Sequence, residues 1–238
     1  MSNSIYASLT RQSGLMKEMQ TIAHNMANSA TTGFRSEGLV FSEHVKATGE
    51  GQPSISYATA DSHATRFAQG TMAQTGGTFD FAIEGDGFFQ IETPAGERIT
   101  RSGAFFPSPE GELLTADGHR VLDAGGAPVF VPAEAGTIAL APDGTLSVDG
   151  NPLAQLGIVT PAEGATLERE DGVRFVVNGD VDPVVAPTVM QGFLEGSNVD
   201  PVSEIARMIQ VQRAYEMGQG FLEKEDERVR GVMALITR

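Results

Sequence analysis

Residues Ser4 to Asn28 read SIYASLTRQSGLMKEMQTIAHNMAN, and the way apolar residues recur along that stretch decides the fold. It contains no proline and places Ile5, Leu9, Gln12, Met16, Met19, Ala23 and Met26 at alternating steps of four and three. That is the heptad spacing of a helix that lays one stripe against another helix. Leu15 and Ile22 widen the stripe, while Arg11, Lys17, Glu18 and Gln20 fall on other faces. Gly33, behind Thr31 and Thr32, is the expected stop.

The far end of the chain answers the first. At Asn198-Val199-Asp200-Pro201 an aspartate able to cap free N–H groups precedes a proline suited to the first helical position, so a helix is predicted to start there. From it Met208, Tyr215, Leu222, Val229 and Ile236 recur every seven residues, interleaved with Ile205, Gln212, Gln219, Asp226 and Met233. A large apolar side chain gains about 1.5 to 3 kcal/mol from burial only if something covers it. The N-terminal stripe is the expected partner.

Between these ends the pattern changes. Phe79 to Ile83, Phe88 to Glu92, Val129 to Val131, Ile138 to Leu140, Leu153 to Val159 and Val173 to Val177 are short alternating or apolar runs. They are separated by Asp86-Gly87, Asp117-Gly118, Asp143-Gly144, Asp149-Gly150, Asp171-Gly172 and Asn178-Gly179, dipeptides suited to tight hairpins. The predicted class is therefore α+β. Residues 1–35 and 196–238 form a coiled-coil-like discontinuous helical domain for assembly, 36–76 an extended connector or arm, and 77–195 a mainly antiparallel β-domain.

Composition narrows the function. The chain has 238 residues, a formal net charge of −15 and no cysteine, which excludes disulfides, thiolate metal sites and cysteine nucleophiles. The charge opposes attraction to phosphate backbones and anionic lipid, so nucleic acid is not an expected partner. No run approaches the roughly 20 apolar residues of a spanning helix, and the start lacks the pattern of a cleaved signal; direct membrane insertion is not expected. The four histidines show no zinc-type pairing, and neither a Gly-x-Ser-x-Gly elbow nor a phosphate loop occurs. Glu84 and Asp86 flank Gly85 and read as turn carboxylates.

Heptad helices at both extremities around a hairpin-rich middle suit a polymer. Ile22-Ala23-His24-Asn25-Met26-Ala27-Asn28-Ser29-Ala30-Thr31-Thr32-Gly33-Phe34-Arg35 resembles the N-terminal signature of bacterial flagellar rod and hook proteins. Leu194-Glu195-Gly196-Ser197-Asn198-Val199-Asp200, continued by Met208-Ile209-Gln210-Val211-Gln212-Arg213-Ala214-Tyr215-Glu216, resembles the matching C-terminal motif. Ala82 to Phe89 and Thr100 to Phe105 are similar to the opening of the family's β-domain. Length and the opening Ile5-Tyr6-Ala7-Ser8-Leu9 point to its proximal-rod members more than to the longer distal-rod ones. His24 stands where asparagine is usual, and Met26 where leucine or valine is.

The resemblance implies a structural subunit without enzyme activity, cofactor or metal, whose terminal helices line the rod's inner layer with the β-domain outside. Implied partners are copies of itself, adjacent proximal and distal rod subunits, and the flagellar type III export apparatus. The implied location is the periplasm-spanning rod of the basal body, reached without a cleaved signal. The residues it marks for assembly are Asn25, Met26, Ala27, Asn28, Thr32, Gly33, Phe34, Ser197, Asn198, Val199, Met208, Ile209, Gln212, Arg213, Ala214, Tyr215, Leu222 and Val229. The alternatives are a distal rod or hook subunit, a carbohydrate-active enzyme attached to the basal body, and a secreted β-sandwich binding module.

Overall fold

The structure, a computed structural model, describes residues 2–46, 55–132 and 134–236. The side chains of Ile5 and Ile236, and residues 47–54 of the expected connector, lie outside what is described. Helix α1 spans Ser2–Ala27 and α2 spans Pro201–Ile236, with antiparallel strands between them, so the class is α+β. The chain divides into two compact units. One comprises Met1–Ser29, Ser36–Phe67 and Val199–Arg238; the other comprises Ala30–Arg35 and Ala68–Asn198.

In the helical unit α1 and α2 run antiparallel. Asn25 near the end of α1 meets Glu204 in the first turn of α2, Glu18 meets Arg207, and the Gln12 amide donates to the Tyr215 carbonyl at 3.0 Å. The inward row of α2 is Glu204, Met208, Val211, Tyr215, Gly218, Leu222 and Glu225, again at steps of four and three. Gln212 and Gln219 face outward, one position away from that row. On α1 the buried positions are Gly14, Thr21, Ile22 and Asn25, with Leu9, Met16 and Ala23 exposed. The buried face is centred beside the expected stripe because α1 packs on β1 and β2 as well as on α2.

Residues 36–76, expected as an extended connector, hold a two-stranded ribbon. Strand β1 (Glu37–Lys46) pairs antiparallel with β2 (Ile55–Thr65) from Glu37 opposite Thr65 to Lys46 opposite Ile55, with a register shift at Val40/Phe41. Its composition of small and polar residues gave only weak periodicity to read.

The β-rich unit begins its strands with β3 (Met72–Gln74), β4 (Phe81–Glu84), β5 (Phe88–Thr93) and β6 (Gly96–Thr100). β5 pairs with β6, with Arg120–Val121 and with Ile158–Pro161. Both of its faces are covered. Phe89 and Ile91 enter a cluster with Phe81, Ile83, Phe105 and Leu113, while Phe88 enters a second cluster with Ile99, Val159 and Phe175. Phe89 meets Phe105 edge-on at 5.2 Å, and Phe88 meets Phe175 at 5.9 Å, the arrangement that ring quadrupoles favour. The glycines of all six expected turn dipeptides have positive φ. The run Leu153 to Val159 is not one strand but two, Asn151–Gln155 and Ile158–Pro161, because Gly157 lies against the carbonyls of Leu122 and Asp123 where no side chain fits. Val129 to Val131 forms no named strand; only the bridge of Phe130 to Glu112 falls there.

Candidate assembly site

Within the helical unit, Asn25 is 1% exposed and binds like a strand neighbour. Its Oδ1 accepts from the Glu37 N–H at 2.9 Å, and its Nδ2 donates to the Glu37 carbonyl at 2.8 Å and to Glu204 Oε1 at 3.2 Å. One amide thus ties the last turn of α1, the first residue of β1 and the first turn of α2. An aspartate there could accept but not donate. Asn28 Nδ2 donates back to the His24 carbonyl at 2.9 Å, closing the helix end. Met26 is half-buried and Ala27 exposed. His24 is half-exposed, its Nδ1 3.8 Å from Glu37 Oε2. Val199 is buried. Asp200 caps α2: it accepts from the Val202 N–H at 3.2 Å and from the Ser203 hydroxyl, and these bonds hold its carboxyl below the usual range, the hydroxyl bond contributing most.

In the β-rich unit, Gly33, Phe34 and Arg35 are inserted as a plug. Gly33 has φ +70°, and a Cβ there would lie 2.4 Å from the Ser102 nitrogen, so only glycine fits. Its N–H donates to the Glu195 carbonyl at 2.7 Å. Phe34 is fully buried, and the Arg169 guanidinium stacks on it at 4.6 Å and on Phe175 at 4.8 Å. Asn198 closes over the plug, its N–H donating to the Phe34 carbonyl at 3.2 Å and its Nδ2 to Ala68 at 2.8 Å. Ser197 is half-buried, and Thr32 lines a cavity of about 370 Å³ together with Thr31, Thr100, Ser102, Thr115 and Arg174.

At the centre of this unit lies a charged cluster that sequence reasoning did not single out. Glu195, 1% exposed, accepts at Oε1 from Arg35 at 2.7 Å and from the Gly70 N–H at 2.9 Å, and at Oε2 from Arg101 at 2.7 Å. Arg101 also donates to the carbonyls of Ile83 at 2.9 Å, Gly85 at 2.7 Å and Gly87. Burial lowers the Arg35 pKa; Glu195 opposes the shift and Arg101 adds to it. In sequence each of these charges looks like a surface residue. The available signal was position, since each stands inside one of the quoted motifs in a glycine-containing run: Gly33-Phe34-Arg35, Arg101-Ser102-Gly103 and Leu194-Glu195-Gly196.

On α2 the marked residues divide by face. Met208, Ala214, Tyr215 and Leu222 are half-buried, whereas Ile209, Gln212, Arg213 and Val229 are exposed. Val202, Ile205, Met217 and Phe221 extend the exposed apolar surface, with Val202 at 75% and Met217 at 69%. α2 has 36 residues to the 26 of α1, so about 15 Å of it, at 1.5 Å per residue, runs past the start of α1. Every side chain from Asp226 to Leu235 is exposed there, including Val232 and Leu235. Among the described residues no three His, Asp or Glu side chains are grouped to hold a metal ion, and no helix is long and apolar enough to cross a membrane.

Two family models match these regions. Residues 190–232 match the flagellar basal body rod FlgEFG protein C-terminal region, and residues 82–148 match the flagellar hook protein FlgE/F/G D1 domain. The class is therefore that of flagellar rod and hook structural proteins, which are not enzymes. The flagellar basal-body rod protein FlgF of Mesorhizobium japonicum is 39% identical over 219 residues, covering 91% of this chain and 90% of that protein. FlgF of Caulobacter vibrioides is 38% identical over 91% of this chain and 90% of that protein. FlgG of Bacillus subtilis is 29% identical over 95% of this chain and 96% of that protein. The chain belongs to the flagellar basal-body rod protein family, and its similarity is to the FlgF proteins at 36 to 39% identity over nine tenths of its length or more.

Proposed function

We propose that this chain is a structural subunit of the proximal part of the flagellar basal-body rod, polymerising through its terminal helices as part of the drive shaft for motility. The observation that carries the reading is the apolar surface α2 still exposes after pairing with α1: Val202, Ile205, Ile209, Met217 and Phe221, then Val229, Val232 and Leu235 beyond the start of α1. Exposed apolar side chains gathered along one helix in this way point to a protein–protein interface. Its occupants in this reading are helices of further copies and of adjacent rod subunits. Residues 1–35 and 196–238 act as the assembly domain and 77–195 as the outer β-domain. The protein reaches the periplasm-spanning rod through the flagellar type III export apparatus without a cleaved signal.

Assembly stabilises what the monomer leaves exposed. Each large apolar side chain covered contributes about 1.5 to 3 kcal/mol before the ordering cost. The test is deletion of the gene followed by electron microscopy of purified basal bodies. A rod interrupted near its base is the expected result, and an intact rod in a motile strain contradicts the proposal.

A further inference from the structure

We infer that Glu195 is a positioning residue: acting through Arg35, Arg101 and the Gly70 amide, it holds together the passages by which the chain enters and leaves the β-rich unit. The inference rests on the proposed rod function only for the purpose those passages serve. The chain crosses between its units at 29/30, 35/36, 67/68 and 198/199. On the β-rich side each crossing lies within four residues of Glu195 or of a group bound to it. Gly33 donates to its carbonyl, Arg35 and Gly70 bind Oε1, and Asn198 binds the Phe34 carbonyl three residues further along.

The carboxylate suits this task because it supplies acceptors to three segments that are distant in sequence. Two guanidiniums and one amide converge on two oxygens, each at 2.7 to 2.9 Å. A buried ion pair is weak evidence for net stability, since desolvation offsets most of its attraction, but removing one member leaves charges buried without compensation. Its effect is on where segments are held. The strands also carry two apolar clusters and their own ladder pairing, neither of which the carboxylate supplies.

Amide hydrogen exchange on the purified full-length chain tests this. Glu195→Gln keeps the shape and removes the charge. It is expected to accelerate exchange at Gly33, Gly70, Gly196 and Asn198 about tenfold or more beyond any acceleration at the core amides Phe81, Gln90 and Leu122. Arg35→Lys, a milder change, keeps the charge but loses the forked donor, and is expected to accelerate Gly33 and Gly70 only. Equal acceleration at the core amides would make Glu195 an ordinary stability residue. A change at Gly70 alone, or none, would likewise overturn the inference. If Glu195→Gln does not fold, Arg35→Lys decides: it must open Gly33 and Gly70 without moving the core. Because the measurement uses the isolated chain, its failure leaves the rod reading intact, and an intact rod after gene deletion leaves this prediction standing.

Discussion

The β-rich unit and helix α2 differ in how completely each satisfies its own chemistry. In the β-rich unit Phe34, Phe81, Phe89 and Phe175 are fully buried, and the carboxylate of Glu195 is bound on both oxygens. In α2, Val211 and Glu204 are buried while nine large apolar residues from Val202 to Leu235 remain exposed. Among the described residues the β-rich unit leaves Phe106, Phe130, Leu153 and Val185 exposed, four against the nine of α2 alone, so the exposure is concentrated in the helix. The sequence has enough apolar residues to close a core, and in α2 it leaves many of them on an exposed helix face. Region-specific substitutions should therefore separate folding from assembly.

The largest effect is expected at Arg101. Arg101→Met removes one of two cations from Glu195 and leaves the carbonyls of Ile83, Gly85 and Gly87 without this donor. Breaking a buried pair in this way costs about 3 to 5 kcal/mol, so urea unfolding of the β-rich unit should shift markedly. A change below about 1 kcal/mol would place the cluster outside the determinants of that unit's stability. Gly33→Ala comes next. A side chain at φ +70° running into the backbone of Arg101 and Ser102 should cost about 2 kcal/mol or more by the same measurement.

Phe221→Asp reverses the pattern. Phe221 is 49% exposed, so monomer unfolding should move by no more than about 0.5 kcal/mol, while rods fail to form in basal-body preparations. Normal motility would remove this face of α2 from the interface. The smallest effect concerns acid. The Asp200 carboxyl is held below its ordinary 3.8 by the Ser203 hydroxyl and the Val202 N–H. A depressed folded-state pKa contributes stability above the ordinary value and loses it as pH falls through the depressed one. Protection of the Val202 amide, its exchange taken relative to the intrinsic rate at each pH, should therefore fall with acidification below 3.8, and Asp200→Asn should flatten that fall while still capping.

What was legible follows from range. The helix ends, the six hairpin glycines and the capping by Asp200 depend on neighbours a few residues away, so spacing revealed them. The choice of face did not follow: Leu9 and Met16 satisfied the heptad spacing, yet Ile22 and Asn25 are the buried residues because β1 and β2 also claim α1. The ribbon of β1 and β2 carried only weak periodicity. The Arg35, Arg101 and Glu195 cluster joins residues up to 160 positions apart, and each charge alone is indistinguishable from a solvated one. Family resemblance located the motifs that hold these residues, while the reason for them is visible only in three dimensions.

The central claim is that α2 is built for neighbours and the β-rich unit for itself, and the most direct test is a chain truncated after Arg228. Its exposed last turns, with Val229, Val232 and Leu235, are then absent, and both unfolding of the purified chain and basal-body assembly in cells are measured on the same variant. The account predicts unchanged unfolding of the β-rich unit, within about 0.5 kcal/mol, together with incomplete rods and lost motility. Normal swimming by the truncated strain, or earlier unfolding of the β-rich unit, would contradict it.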